Sequence, residues 1–191
     1  MKLLAISDIG DLSWNYGDIR ADILISCGDV SDEVILEAAD ACNCDTILAV
    51  KGNHDRNVPF PDPIIDLHHR TYTHNGLTFG GFNGCWQYKP RGHFLYEQQE
   101  VETLLSDFPP VDVFIAHNSP RSIHDKDDDV HFGFEALNRY IRRAQPRLFI
   151  HGHQHVDAET LVDGTEVIGV YGYKVCEFNV TFRGERRQGE L

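Results

Sequence analysis

Short apolar runs alternate with polar, periodic stretches along the first part of the chain. Residues 2–7, 22–27, 46–51, 111–116 and 147–150 are brief and rich in apolar side chains, and each reads as a β-strand. Between the second and third, Val34, Ile35, Ala38 and Ala41 or Cys42 recur at helical spacing. This predicts a helix from Asp32 to about Cys42, with Ser31 placed to cap it. The middle of the chain changes character. Residues 71–74 and 77–82 flank Asn75-Gly76, two residues that tolerate positive φ, so a hairpin is predicted there. Residues 80–84 then lead into a loop carrying Trp86, Tyr88, Arg91 and His93. A helix is predicted over 97–106, closed by Pro109-Pro110. Another, from about Gly133 to Ala144, places Phe134, Leu137, Tyr140 and Ile141 on one side before Pro146. The tail returns to strands at 159–162, 166–170 and 174–182, with a turn at Asp163-Gly164, and the polar residues 183–191 are expected to fray. With no repeat and no linker, a single domain over 1–191 is expected. The element order predicts an α/β fold of two sheets packed face to face with helices outside.

Composition narrows the function classes. The 191 residues are 41% hydrophobic and 25% charged, an ordinary balance for a soluble globular protein with a proper core. A formal net charge of −13 argues against a surface that grips long nucleic acid, whereas a small anionic substrate held through metals stays compatible. The opening apolar run is too short for a signal-peptide core, and no stretch reaches the length of a membrane span. Five cysteines form no regular framework, which is the pattern of a reduced, cytoplasmic protein. Cys42-x-Cys44 has the wrong spacing for half a zinc site and reads as a helix end. Nothing in the chain fixes the oligomeric state, and a homodimer is compatible with it.

The candidate chemistry sits just beyond the strands. Asp8, Gly28-Asp29, Gly52-Asn53-His54-Asp55, His117 and Gly152-His153-Gln154-His155 each follow one of the five apolar runs. Carboxylate, amide and imidazole ligands of this kind suit borderline divalent ions such as Mn²⁺, Fe²⁺ or Zn²⁺. A strand-end carboxylate can bridge two ions about 3.5–4 Å apart, and Asp29 is the candidate bridge. His153 and His155, two residues apart, can each reach a different ion. His54 is placed to protonate a departing alkoxide, with Asp55 holding its other ring nitrogen. Taken singly, each member has a plain alternative: Asp8 or Asp29 a loop carboxylate, His117 a core histidine, Asn118 a turn residue. The acidic run 125–129 reads as a solvated loop, and His124 and His131 as loop histidines. Arg56, Arg91 and Arg121 are either surface residues or phosphate contacts, and Trp86 and Tyr88 either stack on a base or close the core edge.

In order, spacing and strand context, the series from Asp8 to His155 resembles the calcineurin-like metallophosphoesterase family. The segment from His117-Asn118-Ser119-Pro120 through His131-Phe132-Gly133 to Pro146 looks like its small cyclic-nucleotide-phosphodiesterase-like branch. The resemblance implies a four-layer α/β/β/α sandwich of two mixed sheets flanked by helices. It implies one metal on Asp8, Asp29 and His155, a second on Asp29, Asn53, His117 and His153, and His54 at the phosphoryl oxygens or leaving group. Mn²⁺ is the expected ion, with Fe, Zn, Ni or Mg as alternatives. One departure stands out: the family opens Asp-x-His, and here Gly10 occupies the histidine position, so the first metal is expected to bind weakly. The expected activity is hydrolysis of a small phosphodiester or phosphomonoester, a nucleotide among the candidates, by a metal-activated hydroxide, with the diester favoured. Two other functions compete: the fold kept as a protein-binding scaffold with a weakened site, and a nuclease, which the acidic balance disfavours.

Overall fold

All five apolar runs form strands, and each is buried because it lies between two other layers. The structure is a computed structural model that describes residues 1–9 and 18–177. The expectations about Gly10 and the tail beyond 177 lie outside the described residues. The strands are β1 (Lys2–Ser7), β2 (Ile23–Ser26), β3 (Thr46–Ala49), β4 (Ile65–Asp66), β5 (Thr71–His74), β6 (Leu77–Phe82), β7 (Cys85–Trp86), β8 (Leu95–Tyr96), β9 (Val113–Ala116), β10 (Leu148–His151), β11 (Ala158–Val162), β12 (Thr165–Gly169) and β13 (Gly172–Glu177). The helices are α1 (Asp32–Cys42), α2 (Gln98–Ser106) and α3 (Glu135–Ala144).

One sheet has the order β13-β1-β2-β3-β4 and the other β11-β12-β10-β9-β6-β5, while β7 and β8 form a separate ribbon. Within each large sheet the central strands run parallel, and β13, β11 and β5 join antiparallel at the margins. Both sheets are therefore mixed. Alternation of side chains along each strand divides the core into three. Leu3, Ile25, Leu48, Val113, Ile115 and Ile150 meet between the two sheets. Leu4, Leu24 and Ile47 turn the other way onto Ile35, Ala38 and Cys42 of α1. Phe114 and Phe149 turn onto Val101, Leu137, Tyr140 and Ile141 of α2 and α3. The result is the expected four-layer α/β/β/α sandwich.

Local signals account for the helix limits. Ser31 accepts a hydrogen bond from Val34 N at 3.3 Å and starts α1, and Asn43 at φ +57° ends it between the two cysteines. The Cys42-x-Cys44 pair is thus a helix end, as its spacing suggested. The elements missed in the sequence are β4, β7 and β8. Each is two residues long and has no period to read.

Parallel order has a consequence for the site. The carboxyl ends of β1, β2 and β3 in one sheet, and of β9 and β10 in the other, lie at one end of the sandwich. Turns after strands of both sheets can therefore reach a shared point, the usual place for a ligand in parallel α/β architecture.

Candidate metal centre

Each of the polar motifs begins where a parallel strand stops, and the backbone there turns abruptly. Asp8 and Asp29 lie in the left-handed region at φ +53° and +54°, as do His153 and His155 at +61° and +51°. A left-handed conformation costs a residue with a Cβ about 1–2 kcal/mol, so the surroundings must hold it. Asp8 is held by its own carboxylate: Oδ2 accepts hydrogen bonds from Ser7 Oγ at 2.6 Å and from His153 N at 2.8 Å. Asp29 Oδ1 accepts the backbone N–H of His54 at 2.8 Å, tying the second motif to the third.

Glycine precedes Asp29, Asn53 and His153 because carboxylates and backbone occupy the space of a side chain. Gly28 has φ +93°, and a Cβ there would stand 2.5 Å from Gly52 N and 2.7 Å from His117 Nδ1. A methyl group on Gly52 would run into the Asp29 carboxylate, and one on Gly152 would strike Ser7 Oγ and Asp8 Oδ2.

The turns bring Asp8, Asp29 and His117 together, with ligand atoms all within 4.8 Å of one another. His117 is fully buried, and its Nδ1 donates to Cys27 O at 2.8 Å. That bond leaves Nε2 facing two oxygens, Asn53 Oδ1 at 3.1 Å and Asp29 Oδ2 at 3.4 Å. A neutral imidazole in this tautomer directs its lone pair at two acceptors, which is unfavourable unless a cation lies among them. In a protein without metal, a proton takes that role. Burial works against the charged ring, but Asp29, joined by Asp8 and the Cys27 carbonyl, outweighs it and raises the His117 pKa, and the His117 pairing lowers the pKa of Asp29 against its own burial. Asp8 Oδ1 is buried and accepts no hydrogen bond among the described residues, although His155 Nε2 lies 3.3 Å away. A convergent donor set with a buried orphan oxygen fits a divalent cation.

The other expected ligands take several positions. Asn53 is buried with Oδ1 turned inward, as a ligand requires. His155 lies against Asp8 and stacks on Tyr171 with ring centroids 4.9 Å apart. His153 packs its ring 4.9 Å from His117, but its Nε2 is directed to Val130 O at 3.1 Å. Burial, reinforced by His117, pushes its pKa down to about 3, so the ring is neutral. His54 is exposed beside Asp29 and lines a cavity of about 180 Å³ with Asp55 and Arg56.

Asp55 requires a correction. It forms no hydrogen bond to the His54 ring; Oδ2 instead accepts the backbone N–H groups of Gly52 at 2.7 Å and Asp29 at 3.0 Å. It therefore clamps two strand-end turns together, because the tight turn after Lys51 points its carboxylate inward while His54 points out.

Several groups here lacked a sequence signal. Cys85 donates its thiol to Asn53 Oδ1 at 3.2 Å, and Asn53 Nδ2 donates to Tyr88 Oη at 3.4 Å. Gln154, inside the last motif, is fully buried, and the two N–H groups of its Nε2 are shared among Asn118 Oδ1, Ser119 Oγ and His131 O, each 3.0 Å from Nε2. The acidic run is only partly a solvated loop: the Asp125 side chain is buried against Arg121, and Asp128 holds His131 Nδ1 at 2.8 Å. His124 is tied to His151 at 3.0 Å and to Thr160 at 2.9 Å, as a structural loop histidine. Arg56 pairs with Glu33, and Arg121 lies 3.8 Å over the Phe132 ring.

Comparison with known proteins agrees with this geometry. The chain is similar in structure to phosphopantetheinyl hydrolase from Mycobacterium tuberculosis, with 15% identity, a TM-score of 0.52, and 90% of this chain and 89% of that one covered. It is also similar to wild-type Vps29 complexed with Zn²⁺ from Entamoeba histolytica, with 14% identity, a TM-score of 0.52 and coverages of 94% and 87%. At these identities the likeness is one of fold. No curated protein matches the chain in sequence. The sequence profile of the calcineurin-like phosphoesterases does match, over residues 1–157, the span that contains every strand-end motif. The chain belongs to the calcineurin-like phosphoesterase family.

Proposed function

We propose that this protein is a metal-dependent phosphoesterase that hydrolyses a small phosphodiester in preference to a monoester, a nucleotide being one candidate. The convergence of Asp8, Asp29 and His117, ligand atoms all within 4.8 Å, carries this reading. We assign Asp8, Asp29 and His155 to one divalent ion and Asp29, Asn53, His117 and His153 to a second, with Mn²⁺ as the working ion. Ions bound there supply a water of lowered pKa and a Lewis acid for the phosphoryl oxygens. The protein's own part is to hold the ligands. Asp55 locks the turns that carry Asp29 and Asn53, and Ser7 fixes the Asp8 carboxylate. Cys27 O sets the His117 tautomer. His153 must release Val130 O, or bind through Nδ1, to join the second ion. Exposed His54, beside Asp29 and next to open space, is positioned to donate to the leaving group.

The test is turnover of bis- and mono-p-nitrophenyl phosphate by Mn²⁺-loaded protein. The diester is expected to be the better substrate, and His54→Ala is expected to cut kcat by about 10²-fold or more. Turnover of neither ester, or a His54→Ala variant as active as the wild type, contradicts the assignment. A scaffold role is the second reading. It is favoured by exposed Leu161 on β11 and by Tyr173 and Val175 on β13, at the margins of the two sheets. A scaffold with a weakened site would bind little metal, so metal content separates the two. We place the protein in a reducing, cytoplasmic compartment, where its five free cysteines are compatible with the environment. No described helix is long and apolar enough to cross a membrane.

A further inference from the structure

The Asn53 side chain is held at both ends, and one of its two holders is partly exposed. Asn53 Oδ1 accepts the Cys85 thiol at 3.2 Å while facing His117 Nε2 at 3.1 Å. At the other end of the amide, Nδ2 donates to Tyr88 Oη at 3.4 Å. The two holders differ. Cys85 is fully buried and has no exposure to a ligand. Tyr88 is half-buried; its hydroxyl oxygen accepts from Asn53 Nδ2, and no described residue accepts its proton, so the O–H is available to a ligand.

The Tyr88 backbone is fixed at the end of the β7–β8 ribbon. Gln87 N donates to Tyr96 O at 3.1 Å and Tyr88 N to Trp86 O at 2.9 Å. Lys89 stands next to the ring, its Nζ 4.8 Å from the ring centroid, and contact with the Tyr88 hydroxyl raises the Lys89 pKa. The hydroxyl thus sits against the amide of a ligand residue, carries an unclaimed O–H, and has a cation beside it. This is the arrangement of a donor for an anionic oxygen.

We propose that Tyr88 is a substrate-binding residue whose O–H donates to a phosphoryl oxygen of a phosphate ester seated on the Asn53–His117 side of the metal centre. The inference rests on the phosphoesterase reading and extends it. It gives Tyr88 a contact with the phosphate itself, beyond either of the roles its sequence position suggested, base stacking or closing the core edge. Cys85, by contrast, acts only on the orientation of Asn53.

The experiment compares wild type, Tyr88→Phe and Cys85→Ala, each titrated first with Mn²⁺ alone and then, at saturating Mn²⁺, with inorganic phosphate. Tyr88→Phe is expected to keep its Mn²⁺ affinity within about threefold while losing about tenfold or more in phosphate affinity, the scale of one hydrogen bond to a charged group. In turnover of bis-p-nitrophenyl phosphate, KM rises by a similar factor with kcat little changed. Cys85→Ala is expected to show the reverse, weakened Mn²⁺ binding with phosphate affinity retained once Mn²⁺ is saturating. If both variants weaken Mn²⁺ alike and leave phosphate affinity unchanged, Tyr88 merely holds Asn53 and the proposal is overturned. Absence of phosphate binding to Mn²⁺-loaded wild type overturns it as well. If wild type binds phosphate but hydrolyses neither ester, the phosphoesterase reading fails, and the phosphate titrations still decide the role of Tyr88.

Discussion

His117 carries more of the electrostatics of this site than any other single residue. Its Nδ1 is committed to Cys27 O, so Nε2 holds either a proton or a metal ion against Asn53 and Asp29. Binding of Mn²⁺ must therefore displace a proton whose pKa the Asp29 carboxylate has raised. Mn²⁺ affinity is expected to climb as pH rises above the ordinary histidine range, by up to about tenfold per pH unit until His117 is deprotonated. Calorimetry in buffers of different ionisation enthalpy would detect the released proton; a pH-independent affinity with no proton release contradicts the assignment. His151 and His153 act in the opposite direction. Burial lowers both to about 3, so the folded state keeps them neutral where the unfolded chain takes up protons. Between about pH 6.5 and 3 the unfolded state binds more protons. Stability of the metal-free protein is thus expected to fall as pH is lowered through this range, by up to about 1.4 kcal/mol per pH unit for each histidine. Urea unfolding in EDTA at several pH values measures it, and a stability that holds flat from pH 6.5 to 4.5 would count against two buried neutral histidines.

At the scale of elements, the parallel strands do two jobs: they fill the core, and they aim the turns that follow them. Replacing Ile115, which lies between the sheets on β9, by Ala is expected to cost about 2–5 kcal/mol in denaturant unfolding. Gly52→Ala tests the other job. Its methyl group collides with the Asp29 carboxylate, so metal binding is expected to fail while the far-UV spectrum stays native. The longer strands, three helices and one hairpin were legible in the sequence because their apolar periods are clean and Ser31 and Asn75-Gly76 mark their boundaries. The motif residues were legible too, since each follows an apolar run directly. The orientation of side chains within a turn was not. Asp55 is adjacent to His54 in sequence, yet the left-handed and tight turns send it to the backbone of Gly52 and Asp29. The links of Asn53 to Cys85 and Tyr88 span more than thirty residues and depend on β7 and β8, ribbons too short to announce themselves.

On the scale of the whole molecule, the site is a joint between two sheets. Asp8, Asp29 and Asn53 come from turns after strands of the five-stranded sheet, and His117, His153 and His155 from turns after strands of the six-stranded one. A metal bound between them ties the two halves of the sandwich together only in the folded state. Mn²⁺ is therefore expected to raise the melting temperature, by an amount equivalent to about 2.7 kcal/mol at a hundredfold excess over Kd. Asp29 is the residue that the proposed function assigns to both ions, so its loss is expected to affect both at once. The most direct test of the account is the Mn²⁺ content of wild type and Asp29→Asn after loading and removal of free metal. About two ions per chain in the wild type, falling to near zero in Asp29→Asn, is the predicted result. A wild-type chain that retains no metal, or an Asp29→Asn variant that retains as much as the wild type, would contradict a metal centre at the strand ends.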